Sequence, residues 1–345
     1  MKNRLKNIAN HLLDFGKRNR LLNYKDTGLR NLNILNKDIS NIFNDIIDSK
    51  QYTIFQIDPV LEKYHKDLIV NPDDDNVLNY SDLKVYDITN KLIKKNQLIC
   101  YKRGYTLKKV LKNILKEYKY SINEKGINSL FMSFGFINYF EDKNKYKAPL
   151  LLIPIKIKEE NGVYKINEEE DEIILNPTLE YYFKVYFNII LPRFDCDTHD
   201  EYINQIISVL PKNVEYEEGL SLGIYSFLKM NMYNDLMDNA DQVIQNKNIQ
   251  ALLGQTSYTQ ANNPDLPYPV VNCDSSQLEA IKLACSGNSF VLQGPPGSGK
   301  SQTITNIISS LLANNRKILF VSEKLAALKV VYENLRRVGL NEFAI

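Results

Sequence analysis

The chain has 345 residues but no tryptophan, only three histidines and only four cysteines. The cysteines form no C-x-x-C pair and are far apart; they are Cys100, Cys196, Cys273 and Cys285. This pattern predicts free thiols in a reducing compartment and not a disulfide framework. The longest apolar run, residues 148–155, contains two prolines and is far too short to cross a bilayer. No apolar run follows the N-terminus that could act as a signal peptide, so we expect a cytoplasmic protein.

A strong net charge is also missing, because 43 Lys and Arg residues face 41 Asp and Glu residues and leave a net charge of +2. Bulk charge therefore neither favours nor excludes a polyanionic partner. Locally, residues 1–30 carry eight basic against two acidic residues, and residues 84–119 carry eleven against two. Both stretches contain the apolar spacing of a core-packed helix. Solvated helix faces are therefore the favoured interpretation, and a nucleic-acid groove is the alternative.

The first 255 residues mix helical and strand patterns. Apolar residues recur with helical spacing over residues 4–24 and 39–47, whereas residues 52–57 and 148–155 have the composition of strands. The aromatic stretch 123–140 is interpreted as core and not as a surface for stacking bases. We expect an α+β N-terminal domain.

A change of composition marks the predicted domain boundary. Residues 254–269 are rich in Gly, Gln, Thr, Ser and Asn and contain three prolines, which is typical of a linker. The preceding residues 220–237 carry bulky apolar side chains and are predicted to form one or two helices. We divide the chain into an N-terminal domain at 1–255, a linker at 256–270 and the start of a nucleotide-binding domain at 271–345.

One glycine-rich stretch carries a specific chemical signal. Its letters, Gly294-Pro-Pro-Gly-Ser-Gly-Lys-Ser301, match Gly-x-x-x-x-Gly-Lys-Ser, the phosphate-binding P-loop or Walker A motif. The glycines allow backbone conformations that a side chain would block, so that successive amides can hold phosphate oxygens. Lys300 can then reach the β- and γ-phosphates, and Ser301 can place its hydroxyl on Mg²⁺.

The flanking elements predict an α/β fold. Residues 290–293 and 317–322 resemble short buried strands, and helices are predicted at residues 275–285, 301–313 and 324–338. Strand, loop, helix, strand and helix in this order form the opening of a RecA-like parallel sheet.

Gln277 lies on the helix before the loop. A glutamine amide can donate and accept hydrogen bonds at once, which suits the edge of adenine. From the residues alone, a surface glutamine without a ligand is the simpler interpretation.

Three of these segments resemble the first motifs of superfamily 1 helicases, in the branch related to the nonsense-mediated-decay helicases. Residues 274–277 are similar to the Q motif, residues 294–303 to motif I and residues 320–324 to motif Ia. The resemblance implies ATP- and Mg²⁺-dependent translocation on DNA or RNA, with Gln277 reading adenine and residues 322–324 near the nucleic-acid backbone.

The resemblance also sets the expected ligand residues. The predicted ATP-binding residues are Gln277, Gly294, Pro295, Pro296, Gly297, Ser298, Gly299, Lys300, Ser301 and Gln302. Lys300 is in addition the predicted catalytic residue, and Ser301 the predicted Mg²⁺ ligand.

The N-terminal region resembles a second family. Residues 12–23, 148–154 and 175–179 are similar to a domain of unknown function that precedes the helicase core in large prokaryotic proteins, several of them associated with phage defence.

The acidic motif II, the second RecA domain and its arginine finger are not found in residues 1–345. Hydrolysis needs charge stabilisation and a positioned water as well as a phosphate cradle. We therefore interpret the chain as a helicase fragment that binds ATP, hydrolyses it poorly by itself and needs the remaining core in cis or in trans. The alternatives are a nucleic-acid- or partner-binding module with a vestigial ATP site, and a small ATPase that borrows residues from a partner chain.

Overall fold

The protein was analysed as a computed structural model, which describes residues 1–16, 18–26, 28–54, 94–100, 102, 104–141, 144–169, 172–196, 198–295 and 297–345. Residues 55–57 of the predicted strand lie outside these ranges. The chain divides into two compact units. The first comprises His11–Ile122 and Ile127–Asn234, and the second Met1–Asn10, Asn123–Gly126 and Asp235–Ile345. Within the described ranges no helix is long and apolar enough to cross a membrane.

The fold is a mixture of helices and strands. The helices are α1 (Lys2–Ala9), α2 (Ile39–Ile47), α3 (Gly104–Tyr120), α4 (Pro177–Tyr182), α5 (His199–Val209), α6 (Leu228–Asp238), α7 (Ala240–Val243), α8 (Lys247–Leu252), α9 (Ser275–Cys285), α10 (Lys300–Ala313) and α11 (Leu325–Arg337). The strands are β1 (Asn31–Ile34), β2 (Tyr52–Ile54), β3 (Gln97–Leu98), β4 (Leu130–Glu141), β5 (Asn144–Glu160), β6 (Val163–Glu168), β7 (Ile174–Leu175) and β8 (Glu215–Ile224). Single 3₁₀ turns lie at Asn10–Leu12 and Asn341–Phe343, and π-helical turns at Ser121–Lys125 and Phe183–Phe187.

A curled mixed sheet forms the centre of the first unit, with strand order β1-β8-β4-β5-β6-β2-β3 and with β7 paired to β5. The pairs are antiparallel except for β2 with β3, which is parallel. The long strand β5 changes its pairing partner along its length. Pro154 still pairs with β4, whereas Ile155 already pairs with β6. The apolar run at 148–155 is thus a buried strand, as its sequence predicts.

A bulge interrupts the ladder between β4 and β8 at Gly135, where the register shifts between Phe134 and Phe136. Gly135 has a φ of +72°, and a Cβ there would lie closer than 3.0 Å to the ring of Tyr216. Only glycine fits both conditions, since the left-handed conformation and the close approach each disfavour a side chain.

The core of this unit is built from the buried faces of the sheet and of α2 and α3. In α2 the buried side chains recur at the helical spacing i, i+3, i+4 and i+7; they are Ile39, Ile42, Phe43 and Ile46. The ring of Phe43 packs edge-on against Phe134 of β4, with 5.1 Å between ring centres. The aromatic stretch before residue 140 is therefore largely core, as predicted.

Two N-terminal predictions are wrong. The helix predicted at 4–24 ends at Ala9, and residues 13–16 and 18–24 form an irregular segment held by side-chain hydrogen bonds. Asn19 accepts from the Leu21 amide at 2.9 Å and donates to the Asp14 carbonyl at 2.6 Å, so local polar bonds replace the helical ladder. Residues 220–224 belong to strand β8 and not to a helix, because they pair with β1 and β4; only α6 is helical in this stretch.

Asn176 fixes that irregular segment to the sheet. This side chain is fully buried, and its amide nitrogen donates to the carbonyls of Leu21 at 2.7 Å and Pro149 at 2.8 Å. Its oxygen accepts from the amides of Thr178 and Leu179 and so caps α4. The segments 12–23, 148–154 and 175–179, which identify the N-terminal family, thus meet at one side chain.

The second unit contains α9, α10 and α11; α10 packs against both α9 and α11, and a small core of Ile308, Val331 and Leu335 lies between α10 and α11. The segments 290–293 and 317–322 are not assigned as strands, and within the described ranges their backbones make no ladder hydrogen bonds. Ile318 and Phe320 pack against the small core, but the other apolar side chains of these segments are exposed, Val291 by 83% and Leu319 by 87%. A strand needs a hydrogen-bonded neighbour, so the parallel sheet stays a prediction.

Candidate nucleotide-binding site

Helix α9 begins at a capping box that Asp274 and Gln277 form. The carboxylate of Asp274 accepts from the Gln277 amide at 2.8 Å, and the Gln277 side-chain oxygen accepts from the Asp274 amide at 3.2 Å. The backbone amide of Gln277 and the hydroxyl of Ser276 both donate to the Asp274 carboxylate and hold its pKa below the ordinary value. The box therefore fixes the position of the Gln277 side chain.

The same side chain reaches the glycine-rich loop. The Gln277 Nε2 atom donates to the carbonyl of Ser298 at 3.2 Å. A Cβ placed on Gly299 would lie closer than 3.0 Å to this nitrogen. Gln277 thus ties the first turn of α9 to the last residues of the loop before α10.

Backbone conformation explains two of the three glycines in the loop, and lack of space explains the third. Gly297 and Gly299 have φ values of +85° and +76°, which are in the left-handed region, and Gly299 is the N-cap of α10. Gly294 is required for space, because its Cβ would lie closer than 3.0 Å to the Ser298 hydroxyl. The loop therefore turns sharply into a helix N-terminus, which is the geometry that presents backbone amides and a positive dipole end to an anion.

The Lys300 side chain folds back over the loop. Its ammonium group donates to the carbonyls of Gly294 and, at 2.8 Å, of Pro295. The Pro295 carbonyl also accepts from the Ser298 amide at 3.2 Å, which closes the turn. A flexible cation is thus held beside the glycine-rich loop.

Ser301 and Gln302 occupy the first turn of α10 after Lys300. Ser301 is half-buried, and its hydroxyl makes no hydrogen bond within the described ranges, which leaves it available as a ligand. The structure brings together nine of the ten predicted ATP-binding residues, and the tenth, Pro296, lies outside the described ranges.

Comparison with known proteins assigns the chain to a family. Residues 272–342 match the family model described as AAA domain, and residues 11–182 match the family described as Protein of unknown function (DUF4011). An uncharacterized ATP-dependent helicase of Mycoplasma genitalium, MG140, is 30% identical over 260 residues, which cover 64% of this chain and 23% of that protein. The chain corresponds to the N-terminal part of a superfamily 1 helicase.

Two further relatives agree with this assignment. The MG140 homolog of Mycoplasma pneumoniae is 29% identical over 266 residues, or 65% of this chain and 24% of that protein. A probable helicase of Arabidopsis thaliana, MAGATAMA 3, is 52% identical over 42 residues, or 12% of this chain and 5% of that protein. No solved structure gives a significant match. The chain spans about a quarter of the length of its two Mycoplasma relatives.

A row of polar residues on α10 of this helicase portion was not predicted. Asn306 is fully buried and bonds the backbone of Val270 and Val271, each at 2.9 Å. Ser310 accepts from the Tyr268 amide, and Asn314 donates to the Leu266 carbonyl. These contacts hold residues 266–271 along the helix. The signal is visible in the sequence, because Asn306, Ser310 and Asn314 recur every four residues on one helix face.

Residues 320–324, which the sequence analysis compares with motif Ia, are largely exposed. The amide of Lys324, the N-cap of α11, lies 3.4 Å from the Ser322 hydroxyl, and Glu323 and Lys324 are both exposed. Within the described ranges, no group forms a hydrogen bond or an ion pair with the Lys324 side chain. The position leaves this cation free to contact a polyanion.

Proposed function

We propose that the chain is the ATP-binding N-terminal portion of a superfamily 1 helicase, and that it translocates on or unwinds nucleic acid only together with the rest of the helicase core. The observation that carries this proposal is the loop that ends at Gly299 and leads into α10 with Lys300 folded over it. This arrangement is suited to a nucleoside triphosphate.

The residues present fit ATP and Mg²⁺. Bound ATP would supply the phosphates, which would take the place of the loop carbonyls as partners of the Lys300 ammonium. The Ser301 hydroxyl is a suitable ligand for Mg²⁺, which favours oxygen donors. Gln277 uses one amide hydrogen and one lone pair for the loop and the capping box. A second hydrogen and a second lone pair remain for an adenine edge.

The exposed apolar segments support the incomplete RecA-like sheet. Residues 290–293 and 317–322 flank α10 and carry exposed side chains that include Val291, Leu319 and Val321. Buried parallel strands have this composition, and further strands of the longer protein would cover them. Without the second RecA domain the transition state lacks its arginine finger, so we expect negligible ATP turnover from this portion alone.

Nucleic acid is the proposed partner of the complete helicase, and the cytoplasm its proposed location. Lys324 and the lysines along α3 offer exposed cations to a phosphate backbone.

Isothermal titration with ATP and Mg²⁺ tests the nucleotide site. We expect Lys300→Ala to weaken ATP binding by a factor of roughly 10 or more, because a charge-assisted contact to phosphate is lost. Lys317→Ala removes another exposed lysine of the same unit and should leave the affinity unchanged. Equal affinities of the two variants would refute the nucleotide site.

A further inference from the structure

A pocket in the first unit lies between two of the N-terminal family segments and residues 226–230, none of which belongs to the nucleotide site. Its volume is about 230 Å³, and it lies between the segment that contains Leu12 and Asp14, the start of α4 at Thr178, and the start of α6. Small-molecule sites usually exceed about 300 Å³, so this pocket suits a group of the size of one ring system.

The pocket has an apolar part that suits a flat ring. Leu12, Phe227 and Met230 contribute to its lining. Phe227 is fixed by the ring of Phe131, which lies 5.1 Å away between ring centres. An aromatic ring beside two flexible aliphatic side chains favours the faces of a planar ligand.

The polar lining of the pocket includes one negatively and one positively charged side chain. Asp14 and Lys229 are exposed and form no ion pair within the described ranges. Thr178 also lines the pocket although only 4% of it is exposed, and its hydroxyl donates to no described group. The Thr178 hydroxyl oxygen keeps contact with solvent, so it can donate to a ligand in the pocket. The site therefore offers an acceptor in Asp14 and donors in Lys229 and Thr178.

An aromatic surface adjoins the pocket. Phe15, next to Asp14 in the chain, stacks on Tyr181 with 5.7 Å between ring centres and 17° between planes. Tyr181 follows Thr178 by one helical turn on α4, so both side chains lie on the same face. Tyr186 contacts Phe15 at 5.9 Å and is 59% exposed. Exposed aromatic rings next to a pocket of this kind are suited to stacking.

We propose that this pocket receives one unstacked nucleobase of a single-stranded nucleic acid, and that Tyr186 stacks a neighbouring base. Base edges carry donors and acceptors together, which matches the acceptor Asp14 and the donors Lys229 and Thr178 in the lining of the pocket. Base faces match Phe227 and the aromatic surface. The inference rests on the proposed function in one respect, namely that nucleic acid is the partner. A free amino acid also carries one positive and one negative charge. It is the less suitable ligand, because most amino acids have no ring that could stack on the aromatic side chains.

Fluorescence anisotropy with a labelled thymidine oligonucleotide of about 12 nucleotides tests the site on the whole chain without ATP. We expect Thr178→Val and Lys229→Met each to weaken binding roughly 3- to 10-fold, and Tyr186→Ala at least fivefold. Lys212→Met and Tyr105→Ala remove an exposed lysine and an exposed tyrosine that do not line the pocket, and they serve as matched controls. Circular dichroism melting confirms that each variant is folded.

The outcomes separate this site from the nucleotide site. Lys300→Ala should bind the oligonucleotide as the wild type does, so a failed ATP site leaves this test intact. Equal affinities of the pocket variants and their controls would overturn the proposal, as would an oligonucleotide that does not bind the wild type. Displacement of the oligonucleotide by millimolar free amino acids, which act through Asp14 and Lys229, would instead assign the pocket to a zwitterion.

Discussion

The side-chain nitrogen of Gln277 lies 3.2 Å from the carbonyl oxygen of Ser298 and joins the capping box of α9 to the glycine-rich loop. The proposed adenine-reading residue is thus also a structural tie. A loop whose glycines permit many conformations loses less entropy on binding phosphate if a neighbouring helix already holds it.

The first prediction concerns this tie. Gln277→Ala should weaken ATP binding roughly 3- to 10-fold, since it removes the bond to the loop and the proposed bond to adenine. It should also reduce the preference for ATP over GTP. Titration calorimetry with both nucleotides measures the two effects. Ser276→Ala removes another donor to Asp274 but no loop contact, and should bind ATP as the wild type does. Unchanged affinity and preference in Gln277→Ala would contradict the role of this residue.

The second prediction separates crowding from backbone strain at the loop. Gly299 and Gly339 share a φ of +76°, but only at Gly299 would a Cβ meet a neighbour, the Gln277 amide. Both alanine variants should cost about 1 kcal/mol of stability from the left-handed backbone. Gly299→Ala should in addition lower ATP affinity about tenfold, because the new Cβ displaces the Gln277 amide from the Ser298 carbonyl and so releases the loop from α9. Thermal unfolding and ATP titration of both variants provide the comparison, and equal ATP affinities would exclude the crowding effect.

Local patterns predicted the helices of the second unit and the turn of the glycine-rich loop well. The helices α9, α10 and α11 follow from apolar periodicity and caps, and the glycines of the loop from the left-handed turn before α10. The predicted strands at 290–293 and 317–322 could be recognised only as apolar runs. Whether such a run is a strand depends on distant partners, which local sequence does not specify.

The errors in the N-terminal unit have the same origin. The apolar spacing of residues 4–24 continues past Ala9, but hydrogen bonds from Asn19 and the distant Asn176 hold the chain in another conformation. Residues 220–224 pair with β1 and β4, so strand pairing over long sequence distances overrides a composition that suits a helix. The pocket beside Thr178 could not be predicted, because three remote segments form it.

The third prediction tests Asn176 as the residue that joins the three N-terminal segments. Asn176→Ala removes an N-cap and leaves the buried carbonyls of Leu21 and Pro149 without a donor, so we expect a loss of roughly 3 to 5 kcal/mol in unfolding free energy. Asn246 caps the exposed helix α8 in the same way without bonding remote carbonyls. Asn246→Ala should cost only about 1 kcal/mol. Urea unfolding followed by near-ultraviolet circular dichroism measures both values, and similar losses would argue against the proposed role of Asn176.

His199 gives the fourth prediction, a dependence of stability on pH. The side chain is 3% exposed, its ring centre lies 5.0 Å from that of Phe43, and its Nε2 atom has no hydrogen-bond partner within the described ranges. Burial lowers the pKa of His199, although the charges of Asp200 and Glu218 act in the opposite direction. The folded state therefore binds its proton less readily than the unfolded state, where the pKa is about 6.5.

The sign of the effect follows from this order of pKa values. The contribution of neutral His199 is fully present above the unfolded pKa, and it is lost as the pH falls through that value towards the lower folded one. We expect the unfolding free energy to decrease between about pH 7.5 and 5.5. His199→Phe keeps the aromatic contact with Phe43 and should flatten this dependence, whereas His11→Asn, at an exposed histidine, should retain it. Urea unfolding across this pH range measures the slopes, and a wild-type slope that persists in His199→Phe would assign the dependence to other groups.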